Sequence, residues 1–287
     1  MAISGKTRVF MIIGDPVAQV RAPEVYNQLF ATHGIDAVLV PVKVSAAQLA
    51  GFVRNAFAAE NFGGFWVTIP HKAAMQALMQ ECDPVAEVAG AVNAVRRKAN
   101  GATEGALEGA LFDGLGFIKG LDHFGIAVQG RRVLVLGAGG GGQAVAAALA
   151  QRSPSSLVIA NRSIDKAQAI VDRLQPRFEV PVSCTTSTDP AGFDVIVNCT
   201  SQGLKAGDAL PTDPARIDAG AAVVDIIMTK EPTPLLAACR ARGLHAHAGF
   251  EMLVQQVPEY MRFFGMPELA ATLQQDLTEV RQMLYPK

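Results

Sequence analysis

No charge of either sign dominates this chain: 25 Lys and Arg stand against 26 Asp and Glu in 287 residues, a formal net charge of −1. That balance excludes the basic footprint of a nucleic-acid surface and argues against a strongly charged partner. Cysteine is scarce too. Cys82, Cys184, Cys199 and Cys239 are widely spaced, with no C-x-x-C pair, which argues for reduced thiols over disulfides or metal ligands. No apolar run reaches the roughly 18 residues of a membrane span, and MAISGKTRVF lacks the apolar core of a secretory signal. Internal repeats and low-complexity linkers are absent from the sequence as well. The expectation is a cytoplasmic protein that handles a small molecule, binds neither metal, nucleic acid nor membrane, and is a monomer or homodimer.

What is present centres on Arg131–Ala150, RRVLVLGAGGGGQAVAAALA. Val133–Leu136 has the β-branched, apolar character of a buried strand. Gly137, Ala138, Gly139, Gly140, Gly141 and Gly142 follow without a spacer, and an Ala-rich run then begins a helix. Strand, G-x-G-x-x-G and helix in this order form a dinucleotide-binding pattern. Gly137 permits the tight turn, Gly139 lets backbone approach a pyrophosphate, and Gly142 lets helix and strand pack closely. Free N–H groups at the helix start then face the phosphates. The plainer alternative is a flexible glycine loop in another α/β protein.

About 20 residues on, where an NAD site usually carries an acidic residue, the predicted strand Ser156–Ala160 ends in Asn161, Arg162 and Ser163. Arg162 can fork onto a ribose 2′-phosphate, Ser163 can donate a hydroxyl, and Lys166 adds charge on the next helix. Asp165 between them works in the other direction, and a solvated surface charge is the plain reading of Arg162. NADP is the expected cofactor, with NAD as the alternative.

Taken in order, the chain predicts strands at Arg8–Ile13, Ala37–Val42 and Gly64–Thr68, with helices from Pro23 to His33, from Ser45 through Ala59, and over His71–Gln80. Val85–Ala89 reads as a short helix, Val92–Arg96 as an edge strand, and Gly101, Gly105 and Gly109 as punctuation of an irregular stretch. A helix from Asp113 to His123 leads to the glycine-rich half. There, helices at Ile164–Leu174 and Pro234–Arg242 alternate with strands at Val180–Cys184, Asp194–Val197 and Ala222–Ile226. The tail Glu251–Leu284 is helical, interrupted near Gly265 and Pro267. The fold class is therefore α/β with mostly parallel sheets in two domains: 1–112 for substrate and catalysis, 113–250 for the dinucleotide, and 251–287 as helices returning to the first domain. A site in the cleft between them is expected.

Four polar residues sit where strands or turns end: Lys72, Asn93, Asp113 and Gln256. Each has a plain reading, Lys72 as a solvated cation, Asp113 as a helix N-cap, and Gln256 as a satisfier of buried polar groups. Their segments nevertheless resemble the shikimate/quinate dehydrogenase family along essentially the whole chain. GDPVAQVRAPEVYN (Gly14–Asn27) lies where the family has its Ser-x-Ser-Pro region, GFWVTIPHK (Gly64–Lys72) matches G-x-N-V-T-[IV]-P-x-K, and GAVNA (Gly90–Ala94) matches G-A-x-N-T. GALFDGLG (Gly109–Gly116), NRSIDK (Asn161–Lys166), Asn198–Gly203, DIIMTK (Asp225–Lys230) and Gly249–Gln256 follow in the family's order. The resemblance implies an N-terminal substrate domain, a C-terminal Rossmann-type domain and an NADP-dependent alcohol dehydrogenase. It implies Lys72 and Asp113 as the catalytic pair at the oxidised hydroxyl, with Thr68, Asn93 and Gln256 bonding substrate hydroxyls. Thr200 and Gly249 are implied on the cofactor side.

The sequence also departs from the family. Val20 and Ala22 replace both carboxylate-binding serines, Leu111 and Phe112 replace Asn–Thr, Trp66 replaces Asn, and Met228 replaces Tyr. A carboxylic acid substrate is expected to need Arg21 or Gln19 turned inward, because an unpaired buried carboxylate costs several kcal/mol. The alternatives are the same mechanism on a less polar cyclic hydroxy compound, and a non-catalytic nucleotide-binding regulatory protein.

Overall fold

Runs of Val, Ile and Phe form two six-stranded sheets in a computed structural model of the chain, which describes residues 3–98, 105–205 and 207–285. The sheets belong to separate units. One comprises the chain up to Phe112 together with Gln256–Leu284; the other comprises Asp113–Gln255 together with Tyr285.

The first unit runs β1 (Arg8–Gly14), α1 (Ala22–Thr32), β2 (Ala37–Lys43), α2 (Leu49–Ala56), β3 (Phe62–Val67), α3 (Lys72–Gln76), β4 (Glu81–Cys82), α4 (Pro84–Ala89), β5 (Ala94–Arg97) and β6 (Leu107–Ala110). The sheet order is β2-β1-β3-β5-β6-β4. β1 pairs parallel with β2 and β3, whereas β5 runs antiparallel to both β3 and β6. Gly14, Thr68 and the turns after them therefore lie at one sheet end, where Asp15 N–H donates to the Ile69 carbonyl at 3.0 Å. There is no room for a side chain at Gly14, whose Cβ would fall 2.4 Å from Thr68 Cγ2.

The second unit opens with α5 (Asp113–His123), then β7 (Arg132–Leu136), α6 (Gly140–Ala150), β8 (Ser156–Ala160), α7 (Ile164–Leu174), β9 (Val182–Thr185), β10 (Val195–Asn198), β11 (Ala222–Asp225), α8 (Pro234–Ala241) and β12 (His245–Ala248). Its sheet is wholly parallel, in the order β12-β11-β10-β7-β8-β9. Parallel sheets are covered on both faces, and Val133, Leu134, Val135 and Leu136 of β7 are accordingly all buried. The order reverses between β7 and β10, which places the glycine loop at the switch point where ligands of such sheets bind. Three helices complete the chain: α9 (Phe250–Phe263), α10 (Pro267–Gln275) and α11 (Thr278–Leu284).

Several elements differ from their sequence reading. β5 lies between β3 and β6 and is not an edge strand. The stretch read as irregular contains β6, while Gly101 falls outside the described residues. The helix after Pro70 is five residues long and not ten: it ends at Gln76 in turns closed by Leu78 and Met79 N–H, and from Gln80, whose N–H donates to the Leu107 carbonyl, the chain pairs with β6 through the short strand β4. The segment after Ser45 is a 3-10 turn before α2, which ends at Ala56. β12 went unread because HAHA carries no β-branched residue, although its parallel pairing with β11 defines it. The unit boundary also falls later than residue 250. Glu251 and Met252 pack against Gly120 of the second unit, and Glu251 accepts a hydrogen bond from Tyr285 Oη.

Candidate active site

In the first unit, the end of β3 and the start of β5 bring four of the expected residues onto one connected patch. Val67 N–H donates to the Asn93 carbonyl at 2.8 Å, and Val92 N–H donates to the Lys72 carbonyl at 3.0 Å. Asn93 is buried and is used at both ends: its Oδ1 accepts from Phe112 N–H at 3.0 Å and its Nδ2 donates to Gln256 Oε1 at 3.4 Å. Buried amides are tolerable only when bonded in this way. Gln256 and Tyr260, one turn apart on α9, share the patch, and the Tyr260 hydroxyl donates to the Asn93 carbonyl at 3.2 Å. Thr68 stands beside them with its carbonyl accepting from His71 N–H.

Two neighbours of this patch carried no sequence assignment. His71 is buried, and its Nε2 bonds the Val44 carbonyl at 2.7 Å, anchoring the residue before Lys72 to the end of β2. Asp83 caps α4 through Val85 and Ala86, and its second oxygen accepts from Leu111 N–H at 2.7 Å. The Asp-Pro pair at a helix start was the signal available for Asp83; nothing local marks His71.

The substitutions read as apolar gains occupy different places. Trp66 is buried inside an aromatic stack, 5.2 Å from Tyr260 and 4.2 Å from Phe264 between ring centroids, with Phe10 and Tyr26 edge-on. Its indole fills core volume, a burial worth ~1.5–3 kcal/mol for a large apolar side chain. Leu111 is also buried, while Phe112 packs its ring edge against Tyr260. Arg21 and Gln19, expected as carboxylate ligands, are engaged elsewhere. The Arg21 guanidinium donates to the carbonyls of Leu284 at 2.8 Å and Met283 at 2.7 Å, and Gln19 Nε2 donates to the Pro16 carbonyl at 3.0 Å. A guanidinium is attracted to the free carbonyls that end a helix, and α11 supplies them.

In the second unit, the expected cofactor residues sit in the loops and helix starts that follow the strands at the carboxyl end of the sheet. Gly137 adopts φ +104 and its N–H donates to the Ala160 carbonyl at 2.7 Å. A Cβ at Gly142 would stand 2.0 Å from the Gly137 carbonyl oxygen, whereas Cβ atoms at Gly139 and Gly140 would enter open space. No side chain caps α6 at Gly139. Its first-turn N–H groups therefore face a cleared space, the arrangement that accepts a phosphate. Asn161 ties this loop to the next strand, Oδ1 accepting from Ala138 N–H and Nδ2 donating to the Ser163 carbonyl. Arg162, Ser163 and Lys166 are exposed beside it. Thr200 Cγ2 lies 3.0 Å from the position of a Gly137 Cβ, and a Gly249 Cβ would meet Ile226 Cα at 2.7 Å. The residues present thus fit a dinucleotide. Asp113 is buried as the first residue of α5, whose Gly114 allows contact with the Ala144 carbonyl of α6. Among the described residues, no cluster of His, Cys, Asp and Glu is arranged to hold a metal ion, and no helix is long and apolar enough to cross a membrane.

Two family models match the chain: the shikimate dehydrogenase substrate binding domain over residues 12–95, and shikimate / quinate 5-dehydrogenase over residues 121–206. A shikimate dehydrogenase (NADP(+)) of Mesorhizobium japonicum is 37% identical over 271 residues, covering 93% of this chain and 94% of that protein. Among solved structures, shikimate 5-dehydrogenase of Thermus thermophilus in complex with NADP(H) and shikimate superposes with a TM-score of 0.79. It is 27% identical, with 93% of this chain and 100% of that one covered. The ligand-free 5-ketofructose reductase of Gluconobacter sp. strain CHM43 superposes with a TM-score of 0.81 at 27% identity, covering 95% and 99% of the two chains.

The glycine contacts separate packing from ligand clearance. Gly142→Ala is expected to lower stability by about 1–3 kcal/mol through overpacking against backbone. Gly140→Ala, in helical backbone with open space ahead of it, is expected to raise stability by about 0.4–1 kcal/mol. Urea unfolding of both variants checks this; equal effects would show that the Gly137–Gly142 approach is not tight.

Proposed function

The chain belongs to the shikimate dehydrogenase family, and on that premise we propose that it is an NADP-dependent oxidoreductase interconverting a cyclic hydroxy acid of the shikimate or quinate type with its ketone. The observation that carries the reading is the uncapped start of α6 behind open glycines, with Arg162 exposed at the end of the adjacent strand. Gly137–Gly142, Asn161, Arg162, Ser163, Lys166, Thr200 and Gly249 hold the cofactor in this reading. When bound, the nicotinamide supplies the hydride acceptor or donor.

The chain's own work is at the oxygen. Loss of hydride from carbon requires the hydroxyl proton to leave, so a donor and an acceptor must be held there. Lys72 and Asp113 take those roles, Lys72 as the cationic donor that stabilises charge on the carbonyl oxygen during reduction. Thr68, Asn93 and Gln256 orient the ring hydroxyls, and the bonds that Asn93 already makes to Phe112 and Gln256 fix its amide for that task. A purely regulatory nucleotide-binding protein would have no use for such a pair.

A second reading concerns the substrate. Arg21 is bonded to α11 and Gln19 to Pro16, so neither of the two side chains expected to stand in for the serines at Val20 and Ala22 is turned to that task. The same mechanism then suits a hydroxy compound without a carboxylate. One similar structure carries the name of a 5-ketofructose reductase, whose named substrate has none.

Three measurements test these statements. Lys72→Ala is expected to cut kcat by about 10²–10⁴-fold with cofactor affinity little changed, and adding Asp113→Ala is expected to cost less than a second full factor. Unchanged turnover in the Lys72 variant removes the catalytic assignment. Arg162→Ala is expected to raise KM for NADP by about 10- to 150-fold while KM for NAD stays within a few-fold; equal losses with both cofactors refute the 2′-phosphate role. For the substrate, kcat/KM for shikimate is compared with that for an uncharged cyclohexanol analogue, in wild type and in the Val20→Ser, Ala22→Ser double variant. The second reading expects the wild type to favour the uncharged compound and the double variant to shift toward shikimate. Tight use of shikimate by the wild type, unaltered by the serines, discards it.

A further inference from the structure

Asp225 is wholly buried at the last position of β11, yet its carboxylate is not isolated. One oxygen accepts from Asn198 Nδ2 and from Ile227 N–H, each at 3.0 Å, and the other accepts from the Thr233 hydroxyl at 2.7 Å. Asn198 in turn accepts at Oδ1 from Thr200 N–H and from the Thr200 hydroxyl, and Thr200 Oγ1 accepts from Gln202 N–H. Thr233 also caps α8 at Leu236 N–H. One network therefore joins the loop after β10, the loop after β11 and the start of α8.

Register places that network beside the glycine loop. Leu136, Asn198, Asp225 and Ala248 are successive cross-strand partners at the carboxyl end of the sheet. The next residues along each strand are Gly137, Cys199, Ile226 and Gly249. Ile226 Cδ1 lies 2.8 Å from where a Gly141 Cβ would stand, and its Cα 2.7 Å from a Gly249 Cβ. Cys199 and Thr200 bear on Gly137 with contacts of 3.0 Å to its Cβ position. The two loops that Asp225 ties together thus both bear on the glycine loop, one at Gly137 and the other at Gly141, flanking the open Gly139 and Gly140 in sequence.

A purely structural residue here needs no charge. An apolar side chain would fill the volume without the desolvation cost that raises the carboxyl of Asp225 above its ordinary range. It would, however, leave the Ile227 N–H, the Asn198 amide and the Thr233 hydroxyl without their common acceptor, and the loops would lose their fixed spacing. Sub-ångström placement of binding groups is what such supporting contacts provide.

We propose that Asp225 is a positioning residue for the dinucleotide, holding Ile226 and Thr200 at the spacing that the open glycine cleft requires. This rests on the dinucleotide reading above. The test is direct titration of NADPH fluorescence, with thermal unfolding of each variant and steady-state kinetics alongside. Thr233→Val removes the hydroxyl that Asp225 accepts from, and Thr233→Ser keeps it. The Val variant is expected to bind NADPH about tenfold more weakly and to raise KM for the cofactor, with kcat at saturation within about twofold. The Ser variant is expected to match wild type, and Asp225→Asn to lose at least as much affinity as Thr233→Val. If Asp225→Asn does not fold, the threonine pair decides. Variants that melt earlier but bind NADPH as tightly as wild type overturn the proposal and leave Asp225 a stability residue only. A wild type that does not bind NADPH overturns the dinucleotide reading, and this inference with it.

Discussion

At Gly142 a single added carbon would lie 2.0 Å from the Gly137 carbonyl oxygen, and the second unit is organised around that lack of room. The close approach lets α6 start directly beneath the end of β7. With no side chain capping it, the helix presents its first N–H groups to the space in front of Gly139 and Gly140. Unpaired N–H groups at a helix start are costly unless water or an anion meets them. With glycine at the N-cap the forgone capping contact costs only about a few tenths of a kcal/mol, and the space in front of the helix stays clear. Side chains cap α4 through Asp83 and α8 through Thr233, whereas α1, α2, α3, α7 and α10 also begin without a side-chain cap. What sets α6 apart is the open space ahead of Gly139 and Gly140 at its uncapped start.

The first unit solves a different problem, how to hold polar groups at the edge of an apolar core. Asn93 has its side-chain amide and backbone all bonded: to Phe112, Gln256, Val67, Ala110 and Tyr260. Around it, Trp66, Tyr260, Phe264 and Phe10 form a stack with centroid separations of 4.2 to 6.2 Å. The end of α9 is held by Arg8, which donates to the Phe264 carbonyl, and by Arg96, which donates to the Phe263 carbonyl. Gln256 is thereby delivered to Asn93 from more than 160 residues away in sequence. The same device ties Arg21 to the end of α11.

Local pattern was enough for the glycine loop, for α5, β8 and α7 to the residue, and for the order of motifs that identifies the family. Those features depend on neighbours within a turn or a strand, where φ, capping and periodicity act directly. The inner position of β5, the existence of β6 and β12, and the five-residue length of α3 depend on pairing between distant segments, for which a short run of sequence carries no signal. The same holds for the roles of individual polar side chains. Asp225, Asn198 and His71 stand in the motifs that identify the family, but their partners are set by strand register and by loops converging at one end of a sheet. Sequence alone determined that this chain builds two α/β units, that one of them has a dinucleotide-binding loop, and that its polar residues follow a dehydrogenase order. Only tertiary structure decided that Trp66 is core, that Arg21 bonds a helix end, and that the buried carboxylate of Asp225 ties the loops after β10 and β11 together. Each of those depends on which distant group comes within about 3 Å, the range over which hydrogen bonds act.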